Sequence, residues 1–180
     1  MVIDNQLFMK TLFRRITVFL SISLLYSCFV FGQADSLLAE FEKSETPAAQ
    51  IENLKHLNQV YLGANVDSAL LVMRAAIEIA EDVDDPNQLL SCYYYFIRSC
   101  VYGQKWDEAI AVENKCLAII DNENPGKKTT GDIYNAFGAI NSLLAEDDKA
   151  ISYYLKAETF IKEKDDKTSL AGLYNKNRLL

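Results

Sequence analysis

Histidine is almost missing from this chain: His56 is the only one in 180 residues. A single imidazole, with no cysteine near it in the pattern, makes a zinc site untenable; His56 reads as a packing residue on a helix. Glycine (7) and proline (3) are scarce too, and no GxGxxG, GxSxG or HExxH pattern occurs. Gly126-Lys127-Lys128-Thr129 has the ending of a phosphate loop, but Asp121 stands where the first glycine belongs and no strand precedes it. Basic charge is short: 18 Lys and Arg face 25 Asp and Glu, a net charge of −7. Without a basic face, nucleic acid and anionic membrane surfaces are poor partners. The acids gather at turns and helix starts, as in Glu81-Asp82-Val83-Asp84-Asp85 and Glu146-Asp147-Asp148, where they solvate the chain and complement helix N-termini. None follows the spacing of a calcium loop. No Gly/Ser linker or low-complexity tract divides the chain. With no catalytic constellation in sight, these shortages point away from an enzyme and from any cofactor.

What is present begins at the N-terminus. Lys10, Arg14 and Arg15 precede an uncharged apolar run, Ile16 to Phe31, of 16 residues, short of the roughly 20 that span a bilayer. Small residues follow, so residues 1–34 read as a signal peptide cleaved near Gly32 or Ala34. An uncleaved anchor and lipidation at Cys28 are the competing readings. Export leaves 15 basic and 24 acidic residues after position 32 and places the protein in a periplasmic or other extracytoplasmic space. Three cysteines survive, Cys92, Cys100 and Cys116. They read as buried small apolar residues, with a Cys100–Cys116 disulfide as the alternative that an oxidising compartment permits.

The remainder is periodic. Ala69, Ala109 and Ala150 open matching apolar stretches 40 and 41 residues apart, and Pro47, Pro86 and Pro125 recur every 39. A repeat of this length signals a solenoid, because one unit cannot bury its apolar face alone. Asp35 to Lys43 is expected to be a short capping helix with Leu37, Leu38 and Phe41 on one face. Thr46-Pro47 and Asp85-Pro86 supply an N-cap followed by proline at the first helical position. Gly63-Ala64-Asn65, Gly103 and Asn124-Pro125-Gly126 are the breaks. Residues 35–45 are thus a cap, and 46–180 hold about three helix pairs plus an unpaired last helix.

Within these repeats the residues resemble the tetratricopeptide family. The third unit carries the likeness best: Tyr134, Phe137-Gly138, Ala150, Tyr154 and Ala157 stand at the aromatic and small-residue positions of that pattern. The second offers Tyr93, Phe96-Ile97, Ala109 and Cys116, with Glu113 where an aromatic belongs; the first offers His56-Leu57, Ala69, Met73 and Ala76, with Asn53 in place of the aromatic. The period exceeds the family's basic unit of about 34 residues. The resemblance implies an all-α fold, a right-handed superhelix of antiparallel helix pairs. It also implies that the first helix of each pair lines a concave groove. Carried over, the groove would show Leu54, Asn58 and Tyr61 in the first unit, Tyr94, Arg98 and Tyr102 in the second, and Asn135, Ala139 and Ser142 in the third. Aromatic residues and arginine are common anchors of protein interfaces.

The expected function is therefore an exported, non-enzymatic module that binds a peptide or protein. The alternative is the truncated extracytoplasmic input region of a membrane-bound signalling protein, since long-period exported arrays of this kind resemble sensory regions of bacterial histidine kinases and regulators. Leu170, Leu173, Leu179 and Leu180 leave apolar surface in the last stretch, so either further chain or self-association is expected to cover it.

Overall fold

In the computed structural model, residues 32–123 and 125–161 are described. Residues 32–43 are helical (α1), and seven helices follow: α2 (Pro47–Leu62), α3 (Val66–Val83), α4 (Pro86–Tyr102), α5 (Trp106–Ala111), α6 (Glu113–Glu123), α7 (Lys127–Leu143) and α8 (Asp147–Ile161). The described residues contain no strand. The chain is an all-α array of helix pairs: α2 packs on α3, α4 on α5 and α6, and α7 on α8, while α4 joins the first pair to the third by touching α2, α3 and α7.

Local chemistry sets the boundaries. The Thr46 hydroxyl accepts the Ala49 N–H, and the Asp85 carboxylate accepts those of Asn87 and Gln88, each with proline at the first helical position. Asn65 caps α3 through the Ser68 N–H. These side chains satisfy donors that the first helical turn leaves without partners. The third pair departs from the proline beat: α7 starts two residues after Pro125, with Gly126 as its N-cap and no side-chain cap bond.

The small residues of the repeat hold its crossings. Ala69, Ala109 and Ala150, and one helical face further on Ala76, Cys116 and Ala157, are all fully buried. Gly138 shows why bulk is excluded in the third pair: a Cβ there would lie 2.7 Å from the Tyr154 ring. Phe137, Ile140, Ile133 and Ile97 continue the core through the array.

Two expectations are corrected, and one feature is new. The cap helix already includes residues 32–34 and turns Ala34 inward, with Phe41 packed against the core, while Leu38 faces solvent; the inward face follows 34, 37 and 41, the spacing of one helical side. His56 is not packed inside: it lies exposed beside Glu52, and the neighbouring Leu57 takes the core position. The second helix of the middle pair is not continuous but breaks at Val112 between α5 and α6. All three described cysteines are buried free thiols, so no Cys100–Cys116 disulfide forms. Burial pushes each thiol up to about 12. The expected signal peptide of residues 1–34 lies outside the described residues up to position 31, as does the last stretch after 161.

Candidate protein-binding face

The first helices divide the nine expected groove residues into two groups. Leu54 and Asn58 are buried and cannot meet a partner. Leu54 belongs to the central core. The Asn58 amide works as an internal tie: its Nδ2 donates to the Ala69 carbonyl at 3.0 Å and to Ser99 Oγ at 2.7 Å. Ser99 in turn donates to the Tyr95 carbonyl at 3.0 Å. One buried side chain thereby links α2, α3 and α4, and its amide nitrogen is satisfied as burial requires. Tyr61 is half-buried.

The second group lies on α4 and α7. Tyr102 is 64 % exposed and Arg98 is also exposed, while Tyr94 is half-buried and packed against the core. Burial first, then the nearby Asp132 charge, raises the Tyr94 phenol above its ordinary value. The Arg98 guanidinium is 5.6 Å from the centre of the Tyr95 ring, and Lys55 Nζ approaches the same ring to 5.3 Å. Tyr95 also accepts a long 3.5 Å bond from Gln59. The Arg98 guanidinium thus lies against the Tyr95 ring and also acts on the Tyr94 hydroxyl.

On α7, Asn135, Ala139 and Ser142 are half-buried. Asn135 Oδ1 is buried and has no hydrogen-bond partner, which leaves an acceptor short of a donor at a cost of about 1–3 kcal/mol. A residue that the sequence reading passed over completes the row: Leu143, 61 % exposed. The 41-residue register pairs it with Tyr102, as it pairs Asn135 with Tyr94 and Ala139 with Arg98. Strict use of that register on α7 would have found Leu143 where Ser142 was chosen. α4 and α7 pack on each other, and the register gives the two rows equivalent positions on them.

No group of three or more potential metal ligands exists among the described residues. An open cleft of about 370 Å³ is lined by Asn65, Asp67, Ser68, Arg74, Lys105 and Glu108, with Leu70 and Leu71. Its charges are spent on each other: Arg74 pairs with Glu108 and Lys105 with Asp67. Hydrogen bonding to Lys105 holds the Asp67 carboxyl below the usual range. No described helix is long and apolar enough to cross a membrane.

No known family model matches the sequence, and no curated protein matches it. Among solved structures, the crystal structure of BtubC (BKLC) from P. vanneervenii superposes with a TM-score of 0.73 at 19 % identity, over 82 % of this chain and 63 % of that one. The likeness extends the helical-array fold to a known structure. This chain matches less than two thirds of BtubC's length.

Proposed function

We propose that this chain is an exported, non-catalytic interaction module of tetratricopeptide type that holds a protein or peptide partner along α4 and α7. The observation that carries the reading is the exposure of Tyr102, Arg98 and Leu143 on two helices that pack on each other, with the Arg98 guanidinium against the Tyr95 ring. A rigid aromatic and an arginine present contact area and directed donors at small entropic cost, which is what interface anchors need. The exposed Arg98 suits a carbonyl or carboxylate of the partner. The family assignment is supported by the fully buried Ala69, Ala109 and Ala150 and by the Gly138–Tyr154 contact. Export is supported by the basic start and apolar run before residue 32.

The test is capture from an envelope extract, identification of the retained protein, and titration of that purified partner against the chain and its Arg98→Ala/Tyr102→Ala/Leu143→Ala variant. All three residues are exposed or peripheral, so helical circular dichroism should persist. Affinity is expected to fall by about 100-fold, the scale of two or three lost anchors. Unchanged affinity in a folded variant defeats the assignment of this face. Leu54 and Asn58 are unsuitable probes, because truncating either would disturb the core.

A further inference from the structure

The second helix of the middle pair stops at Ala111 and restarts at Glu113, whereas α3 and α8 run unbroken through the same position of the repeat. Val112 sits between the two halves at φ −95° and ψ −2°, and its N–H turns to the Ile110 carbonyl, two residues back. A continuous helix would use the carbonyl of Glu108, four back. We propose that this break is a conformational device: Glu113 imposes it, and the contacts of Glu113 with α8 hold it open.

The usual causes of a broken helix are missing, since Ala111-Val112 holds no proline, glycine or serine. The repeat register points to the next residue instead. Glu113 corresponds to Met73, 40 residues earlier, and to Tyr154, 41 later. Tyr154 fills its own pair's crossing against Gly138, and Met73 is fully buried. The position that answers them on α4 is Ile97, also fully buried. A glutamate carried into that crossing by an unbroken helix would meet an isoleucine, which has no donor to offer a desolvated carboxylate.

The break resolves this conflict in two ways. It makes Glu113 the first residue of α6, where unpaired N–H groups and the helix dipole favour negative charge. It also leaves the carboxylate, 8 % exposed, with donors from α8: the Tyr153 hydroxyl donates to Oε1 at 2.6 Å, and Lys149 Nζ lies 2.9 Å from the same oxygen. Tyr153 corresponds to Val112 and Val72 on the two earlier second helices, so the acid and its hydroxyl donor occur together at this junction. Both halves of the broken helix touch α4 and α7. A change at the break therefore reaches the contact between the middle and third pairs.

The test is amide exchange, read by nuclear magnetic resonance on the full chain and three variants. Glu113→Met gives the crossing the residue that the first pair uses. The helix should then close, slowing exchange of the Val112 amide at least about tenfold. Glu113→Ala has the highest helix propensity and should close it too, so the outcome does not hang on the fit of methionine. Glu113→Gln keeps an oxygen that accepts from Tyr153, and its Val112 amide should stay within about twofold of native. An unchanged Val112 amide in the folded Met and Ala variants overturns the proposal. Slowing in Glu113→Gln as large as in Glu113→Met overturns it too, because charge rather than the contact with α8 would then be at work. Failure of both apolar variants to fold also overturns it, since the array would then need the carboxylate for more than its break.

Discussion

The first and third helix pairs solve the same crossing with opposite distributions of bulk. In the third pair the first helix carries Gly138 and the second answers with Tyr154, whose ring occupies the space a side chain would need. At the matching positions of the first pair stand Leu57 and Met73, both buried. The flanking alanines, Ala69 and Ala76 against Ala150 and Ala157, are buried alike in both. Close packing fixes the summed volume at a crossing more strictly than the identity of either partner. The alanine positions do not trade in this way: they stay small and fully buried in both pairs. Small residues thus define the register, and large ones are free to change sides.

Breaking the comparison is simplest in the first pair. Leu57→Ala removes a large fully buried side chain that no neighbour is placed to replace, and is expected to cost about 2–5 kcal/mol, read by chemical denaturation. Gly138→Leu attacks the third pair from the other direction. Overpacking against Tyr154 should cost roughly 1–3 kcal/mol even after the gain from replacing a helical glycine. The sharper experiment adds Tyr154→Met, which transplants the first pair's solution. The double variant should recover much of the stability lost by Gly138→Leu alone. Strict additivity of the two changes would show that the residues do not share one space and would sink the volume-trading argument.

Much of this architecture is legible before any coordinates. Thr46-Pro47 and Asp85-Pro86 are local capping signals, and local chemistry survives folding unchanged. The alanine register is legible because a repeat writes the same packing constraint several times. What escaped is non-local. Asn58 resembles a groove residue by position, but it is buried because Ser99, 41 residues away, offers a partner. Glu113 looked like a lapse in the pattern where an aromatic belongs. It is in fact a buried acceptor, only 8 % exposed, for the Tyr153 hydroxyl at 2.6 Å and Lys149 Nζ at 2.9 Å. The aromatic character missing from α6 is supplied across the junction by Tyr153, which stacks on Tyr134. On the candidate face, helix spacing gives the row on α4 but not which members neighbours would cover; Tyr102 remains open while its first-pair counterpart, Leu62, is buried.

The Glu113–Tyr153 bond joins the middle and third pairs, and Tyr153→Phe isolates it with little change in shape. The loss should be roughly 1–2 kcal/mol, within the range for a bond to a charged acceptor that retains another partner. Its pH dependence has a definite sign. Burial, and then the bond to Glu113, raise the Tyr153 phenol above its ordinary value of 10.0. A group with a raised folded pKa contributes stability that is complete below its unfolded value and is lost as pH rises through the folded one. The native chain should therefore lose stability progressively above about pH 10, and Tyr153→Phe should flatten part of that decline. A variant with the same alkaline limb as the native chain would place the titration elsewhere, with Tyr93 beside Glu81 the next group to replace.

The junction between the first and middle pairs contrasts with that buried bond. Its ion pairs lie outside: the Arg74 and Glu108 side chains are 55 % and 35 % exposed, and Lys105 reaches both Asp67 and Glu108. Charges so placed exchange hydration for contact at nearly equal free energy, and salt screens what remains. Glu108→Gln should cost only roughly 0–1 kcal/mol, and the difference from the native chain should vanish as salt is raised to about 1 M. Lys105 holds the Asp67 carboxyl below 3.8, so that pair's contribution is present above 3.8 and lost as pH falls through the lowered value. Acid melts of Lys105→Ala should differ from native in that range alone. If Glu108→Gln instead matched Leu57→Ala in cost and ignored salt, the outer charges would be holding the pairs together. The alanine-lined crossings, with the small-for-large exchange they permit, would then be secondary to electrostatics in setting the array.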